Sequence, residues 1–95
     1  MVLGLGTVTF RLSECHSLKG KRKIVKSIIA RVQNNFNASI AEVALNDVYQ
    51  RAEIGFALVG NDRRTINSKI DKLFVFIENL QLAEIINTDV EIITI

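Results

Sequence analysis

A chain of 95 residues, 48% hydrophobic and 23% charged with no proline, has the composition of one ordered domain and excludes a disordered tail. At this size folding buries about 60 to 65% of the surface that the unfolded chain exposes. The net charge of +2 excludes strong global steering toward polyanions, but all twelve Lys and Arg precede residue 73, and the last twenty-three residues hold four acids and no cation. Cys15 is the only cysteine, so no internal disulfide forms and a reducing, cytoplasmic location is expected.

The first twelve residues alternate. Val2, Gly4, Gly6, Val8, Phe10 and Leu12 share one face, and Leu3, Leu5, Thr7, Thr9 and Arg11 the other, which predicts a long strand. The same stretch lacks a basic leader and makes a poor signal peptide, and no run approaches the ~18 apolar residues of a membrane-spanning helix. Ser17 is placed to cap a helix in which Leu18, Val25, Ile28, Ile29, Val32 and Phe36 form one buried stripe. Asn34, Asn35 and Asn37 are expected to end it, with Asn suited to a left-handed residue there.

Ala38 to Leu45 reads as a second strand whose inner face is ambiguous, since Ile40 opposes Val43 and Leu45. NDVYQR at 46 to 51 carries turn chemistry, and Ala52 to Gly60 alternates again with Ile54, Phe56 and Leu58 on one side. Asn61 and Asp62 open a second helix with its stripe at Ile66, Ile70, Leu73 and Ile77, flanked by Phe74 and Phe76, with Val75 opposite. A last strand from Glu84 to Ile95 has Val90, Ile92 and Thr94 inward.

Strand, helix, strand, strand, helix, strand is the βαββαβ order of a ferredoxin-like α+β plait, here a single domain over residues 1 to 95. The expectation is a four-stranded antiparallel sheet with both helices on one face and with the first and third strands parallel in the middle. On that geometry both helices begin at the same end of the domain, with the loop of Tyr49, Gln50 and Arg51 at the other.

SLKGKR at Ser17 to Arg22, VQNNFNASIAEV at Val32 to Val43, DVYQRAEIG at Asp47 to Gly55 and the pair Asn61-Asp62 resemble, nearly end to end, the YlxP-like family of small bacterial proteins of unknown function. The resemblance implies a ferredoxin-like domain with genes that often neighbour translation and ribosome-maturation factors. It implies no activity.

Chemistry concentrates at residues 19 to 23, KGKRK, where four of five residues are cations at a helix start whose dipole disfavours them. An external anion would compensate, and Gly20 would let a phosphate approach the backbone. Lys19, Gly20, Lys21, Arg22, Lys23 and Lys26, joined by Arg63 and Arg64 from the second helix, are therefore the candidate nucleic-acid or anion site, expected to form one seven-cation edge. The competing readings are a solvated helix face whose long stems shield the core, and another anionic partner. Phe10 and Phe56 point inward, so the exposed sheet face lacks the aromatics that stack bases in an RNA recognition motif, and binding to RNA or the ribosome would be directed at phosphates.

Leu3, Leu5, Val59, Ile93 and Ile95 are expected on the open sheet face, either as a homodimer surface or as scattered exposed aliphatics. Tyr49, Gln50 and Arg51 are either a partner contact or a hairpin fixed by an Arg51–Asp47 pair. Cys15 and His16 are too few for a zinc site and too constrained as neighbours for a nucleophilic dyad. Asp89 and Glu91, two apart on one strand, read as a cation pair of ligands or as solvent-facing edge acids. No metal, cofactor or catalytic residue is assigned. The expectation is a non-enzymatic RNA- or ribosome-associated protein, with a protein-interaction module dimerising through its sheet as the alternative.

Overall fold

Period-two alternation in the strands and i, i+4, i+7 stripes in the helices leave each element with one apolar face, and packing those faces together fixes the architecture. A computed structural model describes Met1–Ile95. It contains β1 (Val2–Arg11), α1 (Leu18–Asn35), β2 (Ser39–Ala44), β3 (Arg51–Gly60), α2 (Arg63–Leu80) and β4 (Glu84–Thr94). The four strands form one sheet in the order β2-β3-β1-β4, every neighbouring pair antiparallel, as a ferredoxin-like plait requires.

The core lies between one sheet face and the two helices. Val8, Phe10, Ile54, Phe56 and Leu58 of the central strands meet Val25, Ile28 and Val32 of α1 and Ile66, Ile70, Leu73 and Ile77 of α2. Gly6 belongs to this face because the Phe56 ring fills its side-chain position: a Cβ there would lie 2.3 Å from Phe56 Cζ. Phe74 and Phe76 flank the α2 stripe as expected, each meeting another ring edge to face, Phe56 at 5.6 Å and Phe36 at 5.4 Å. Val75 points away and is exposed.

Both helix starts use the expected caps: Ser17 Oγ accepts from the Gly20 amide at 3.0 Å and Asp62 from the Thr65 amide at 3.0 Å. α1 ends at Asn35, inside the expected Asn cluster, but without a left-handed residue. Phe36 is extended rather than left-handed, and no Asn has positive φ. The Phe36 amide closes the last turn by donating to the Val32 carbonyl at 2.8 Å, and its ring packs on Phe76.

The expectation of parallel central strands is wrong. β1 pairs antiparallel with β3, Val2 opposite Gly60 and Arg11 opposite Arg51. The crossover α1 joins β1 to a parallel β2, and a tight loop then sends β3 back between them, so β3 opposes both. As a result, α1 begins at the Arg11 end of the sheet and α2 at the Val2 end. Ten residues at ~3.3 Å each separate those ends by roughly 30 Å.

Candidate nucleic-acid interface

That topology divides the expected seven-cation edge. Arg63 and Arg64 open α2 at the far end, where Arg63 Nη1 donates to Thr94 Oγ1 at 2.9 Å. They are not part of one surface with Lys19 to Lys26. Conversely, the loop carrying Tyr49, Gln50 and Arg51 sits at the same end as the α1 start, not opposite it.

Lys21 is the second departure. It is completely buried, its ammonium placed 2.8 Å from Glu42 Oε2 and donating to the carbonyl oxygens of Leu45, Asn46 and Val48, the last at 2.7 Å. An ammonium has three N–H groups for these four acceptors, and the longest contact, 3.3 Å to Asn46, is the shared one. Apart from the ion contact, Glu42 Oε2 has no hydrogen-bond partner. Lys21 is therefore satisfied inside the protein and has no proton left for an external anion.

Both members of this pair interrupt apolar stripes. Lys21 completes the series Lys21, Val25, Ile28, Val32, and Glu42 shares the inward parity of Ile40, opposite Ile54 of β3. Two opposite charges on inward-facing positions, Lys21 buried and Glu42 half-buried, were the sequence signal for the contact. The bulge between Glu42 and Ala44 also resolves the ambiguous face of β2: Ile40 points inward and Val43 covers Gly55 on the open face.

The cations left outside form a different surface. Lys19, Arg22, Lys23 and Lys26 are all exposed and recur at i, i+3, i+4 and i+7, a single outward ridge on α1. Half of the twelve cations lie on α1 and none of the ten acids, so the helix carries six positive charges while the rest of the chain is net negative by four. Only the buried Lys21 is matched by an acid. No ridge residue makes a salt bridge; the one other pair in the protein is Arg11–Glu84 at 3.6 Å. Gly20 makes no opening for a ligand: its amide is held by Ser17, and a Cβ there would meet Ser17 Oγ at 3.2 Å and Cys15 Sγ at 3.4 Å.

Arg51 does not pair with Asp47. It lies opposite Arg11 on the open sheet face, and the loop is fixed by Lys21 instead. Gln50 is a structural bridge, its carbonyl accepting from the Leu12 amide at 2.9 Å and its side chain donating to the Cys15 carbonyl at 3.4 Å. Tyr49 is 44% exposed, and Leu45 and Val48 beside it are also exposed. Cys15 is buried, its thiol donating to the Ser17 carbonyl.

A groove of about 620 Å³ lies on the other flank of the α1 start, between the chain after β1 and the chain before β4. Glu14, Glu78 and Glu84 line it against the single cation Arg11, so its charge is opposite to that of the ridge and unsuited to phosphate. Register places Leu3, Leu5, Val59 and Ile93 together on the open sheet face, and Ile95, whose amide donates to the Met1 carbonyl, continues that row. Asp89 is on the same face but is engaged by Asn87, whose amide donates to it at 3.2 Å.

An open four-stranded plait with one acid-free helix is the class of domain these observations define. The chain belongs to the family described as Protein of unknown function (DUF503), whose model matches residues 3–90. It is 33% identical over 78 residues to the Uncharacterized protein YlxP of Bacillus subtilis (strain 168), an alignment covering 82% of this chain and 85% of that one. No helix is long and apolar enough to cross a membrane.

Proposed function

We propose that the protein is a non-enzymatic binding module that engages RNA phosphates, on free RNA or on the ribosome, through the outward ridge of α1. The observation that carries the reading is that Lys19, Arg22, Lys23 and Lys26 share one exposed face with no acid on their helix and no salt bridge, while the one inward cation is neutralised. Four phosphate contacts correspond to a slope of about −2.8 to −3.6 in log affinity against log salt, so affinity falls roughly 50- to 150-fold between 50 and 200 mM.

The test is a quadruple reversal, Lys19→Glu, Arg22→Glu, Lys23→Glu and Lys26→Glu, with Lys21 left in place and folding verified by circular dichroism. RNA recovered by crosslinking from cells should disappear. RNA association that persists in the folded variant refutes the ridge.

A second contact is supported by the open sheet face, where Leu3, Leu5, Val59, Ile93 and Ile95 form an apolar row suited to a second copy of the chain. Light scattering reads it directly. A Leu5→Lys, Ile93→Lys variant is expected to be monomeric at concentrations where the parent is a dimer, and a dimer in both excludes this face.

A further inference from the structure

The β2–β3 loop is built to hold a shape. Leu45 has φ of 62°, a left-handed conformation uncommon for a residue with a branched side chain, and its carbonyl is among those that accept from Lys21. With the carbonyls of Asn46 and Val48 also turned onto that ammonium, the backbone of the loop wraps a buried cation. It presents outward three apolar or aromatic side chains, Leu45, Val48 and Tyr49, the only tyrosine of the chain, together with the polar Asn46 and the acid Asp47. Exposed residues of this kind on a loop fixed by a buried ion pair indicate a preformed contact.

The location decides its chemistry. Tyr49 adjoins Val48, whose carbonyl is 2.7 Å from the ammonium of Lys21, and Lys19 and Arg22 leave α1 within one turn of that residue. Arg51, two residues on, is exposed as well, but on the open sheet face, away from the ridge. An exposed aromatic residue on a loop tied to the start of the cationic helix suits an unpaired nucleotide, the base stacking on the ring while the phosphates track the α1 cations.

We infer that Tyr49, positioned by Lys21, is a base-stacking contact that extends the α1 ridge and makes the preferred ligand single-stranded RNA, such as a loop or end, rather than a duplex. The inference rests on the ridge reading above. The chain has one Tyr and no Trp, so its intrinsic fluorescence reports on this side chain alone.

The experiment titrates the full chain with a twelve-nucleotide oligouridylate and with a twelve-base-pair RNA duplex, reading tyrosine fluorescence and, with labelled RNA, anisotropy. Binding of the single strand should quench the fluorescence. Tyr49→Ala should weaken single-strand binding about 5- to 100-fold without changing its salt slope, leave duplex binding within twofold, and be rescued by Tyr49→Phe. A paired Lys21→Met, Glu42→Leu variant that retains the parent circular dichroism should lose the same factor, and adding Tyr49→Ala to it should cost little more. Unchanged fluorescence at saturation, or Tyr49→Ala binding the oligonucleotide like the parent, overturns the stacking role and leaves the ridge intact. If that variant instead loses a protein captured by crosslinking while keeping its RNA affinity, the tip is a protein contact and the inference is wrong. Failure of the parent to bind either RNA overturns the ridge itself.

Discussion

Replacing Lys21 by Met tests whether the fold depends on a single internal ammonium. The substitution keeps the length and apolar stem of the side chain and removes only the charge and its three donors. Lys21 is 0% exposed and the Glu42 side chain 16%, so solvent screens the broken pair little, and the orphaned carboxylate faces carbonyls that have lost their common donor. Breaking a buried pair from one side costs about 3 to 5 kcal/mol. A chain of this size has a total stability on the order of 5 to 14 kcal/mol, so the loss consumes a large part of it. At roughly 4 to 8 °C per kcal/mol, the midpoint should fall by at least ~12 °C. Adding Glu42→Leu removes the orphan and should recover part of the loss, since buried pairs replaced from both sides are often neutral. Urea titration followed by far-ultraviolet circular dichroism measures all three proteins. A Lys21→Met variant within about 0.5 kcal/mol of the parent, the scale of an ordinary surface substitution, would refute the argument.

Gly6→Ala places a methyl 2.3 Å from Phe56 Cζ, so the ring must leave its position against Phe74, and a loss of about 1 to 3 kcal/mol in urea unfolding is expected. Asp62 accepts from the Thr65 hydroxyl at 2.7 Å and from its amide at 3.0 Å, and these bonds, the hydroxyl first, hold its carboxyl below the ordinary value of 3.8. Its contribution to stability is complete above that value and fades as the pH falls through the lower folded-state value; in Asp62→Asn, thermal melts should lack this acid-limb component. On the ridge, Lys23→Ala should reduce the salt slope for RNA by about one and weaken all sequences alike. The pair Lys19→Gln and Lys23→Gln removes three like-charge contacts at i, i+3 or i+4, each worth ~0.2 to 0.5 kcal/mol at low salt, so it should raise the melting temperature while lowering RNA affinity.

The element order was legible because each stripe is long and regular: Ile66, Ile70, Leu73 and Ile77 admit one helix face only, and ten alternating residues fix the sides of β1 and β3. Direction was not legible in the same way. Alternation says which residues face inward but is indifferent to whether a neighbouring strand runs up or down, so the antiparallel β1–β3 pair had to come from the connections. A short loop after β2 reverses the chain and a helix does not, and this places the α1 and α2 starts at opposite ends. The error in direction carried into the site, since it joined Arg63 and Arg64 to a cluster roughly 30 Å away.

Within the cluster, azimuth decides each cation's role more than sequence proximity does. Lys21 and Arg22 are adjacent, yet a step of about 100° around the helix puts one in the core with Val25 and the other in solvent with Lys26. The inward cation finds a carboxylate and four acceptors in all, and the outward ones find none, so the folded domain has neutralised the charge it had to bury and left the rest uncompensated. Stems shielding the core do not require that pattern, because a glutamate at one of the exposed positions would shield as well and relieve the repulsion between Lys19 and Lys23. Retaining four exposed cations at a cost in helix stability, with ten acids elsewhere in the chain, is what a surface for an external polyanion would show. For this reason the melting temperature and RNA affinity of the Lys19→Gln, Lys23→Gln pair discriminate together: a ridge that only shields the core would lose stability on substitution, and a binding ridge would gain it while releasing its ligand.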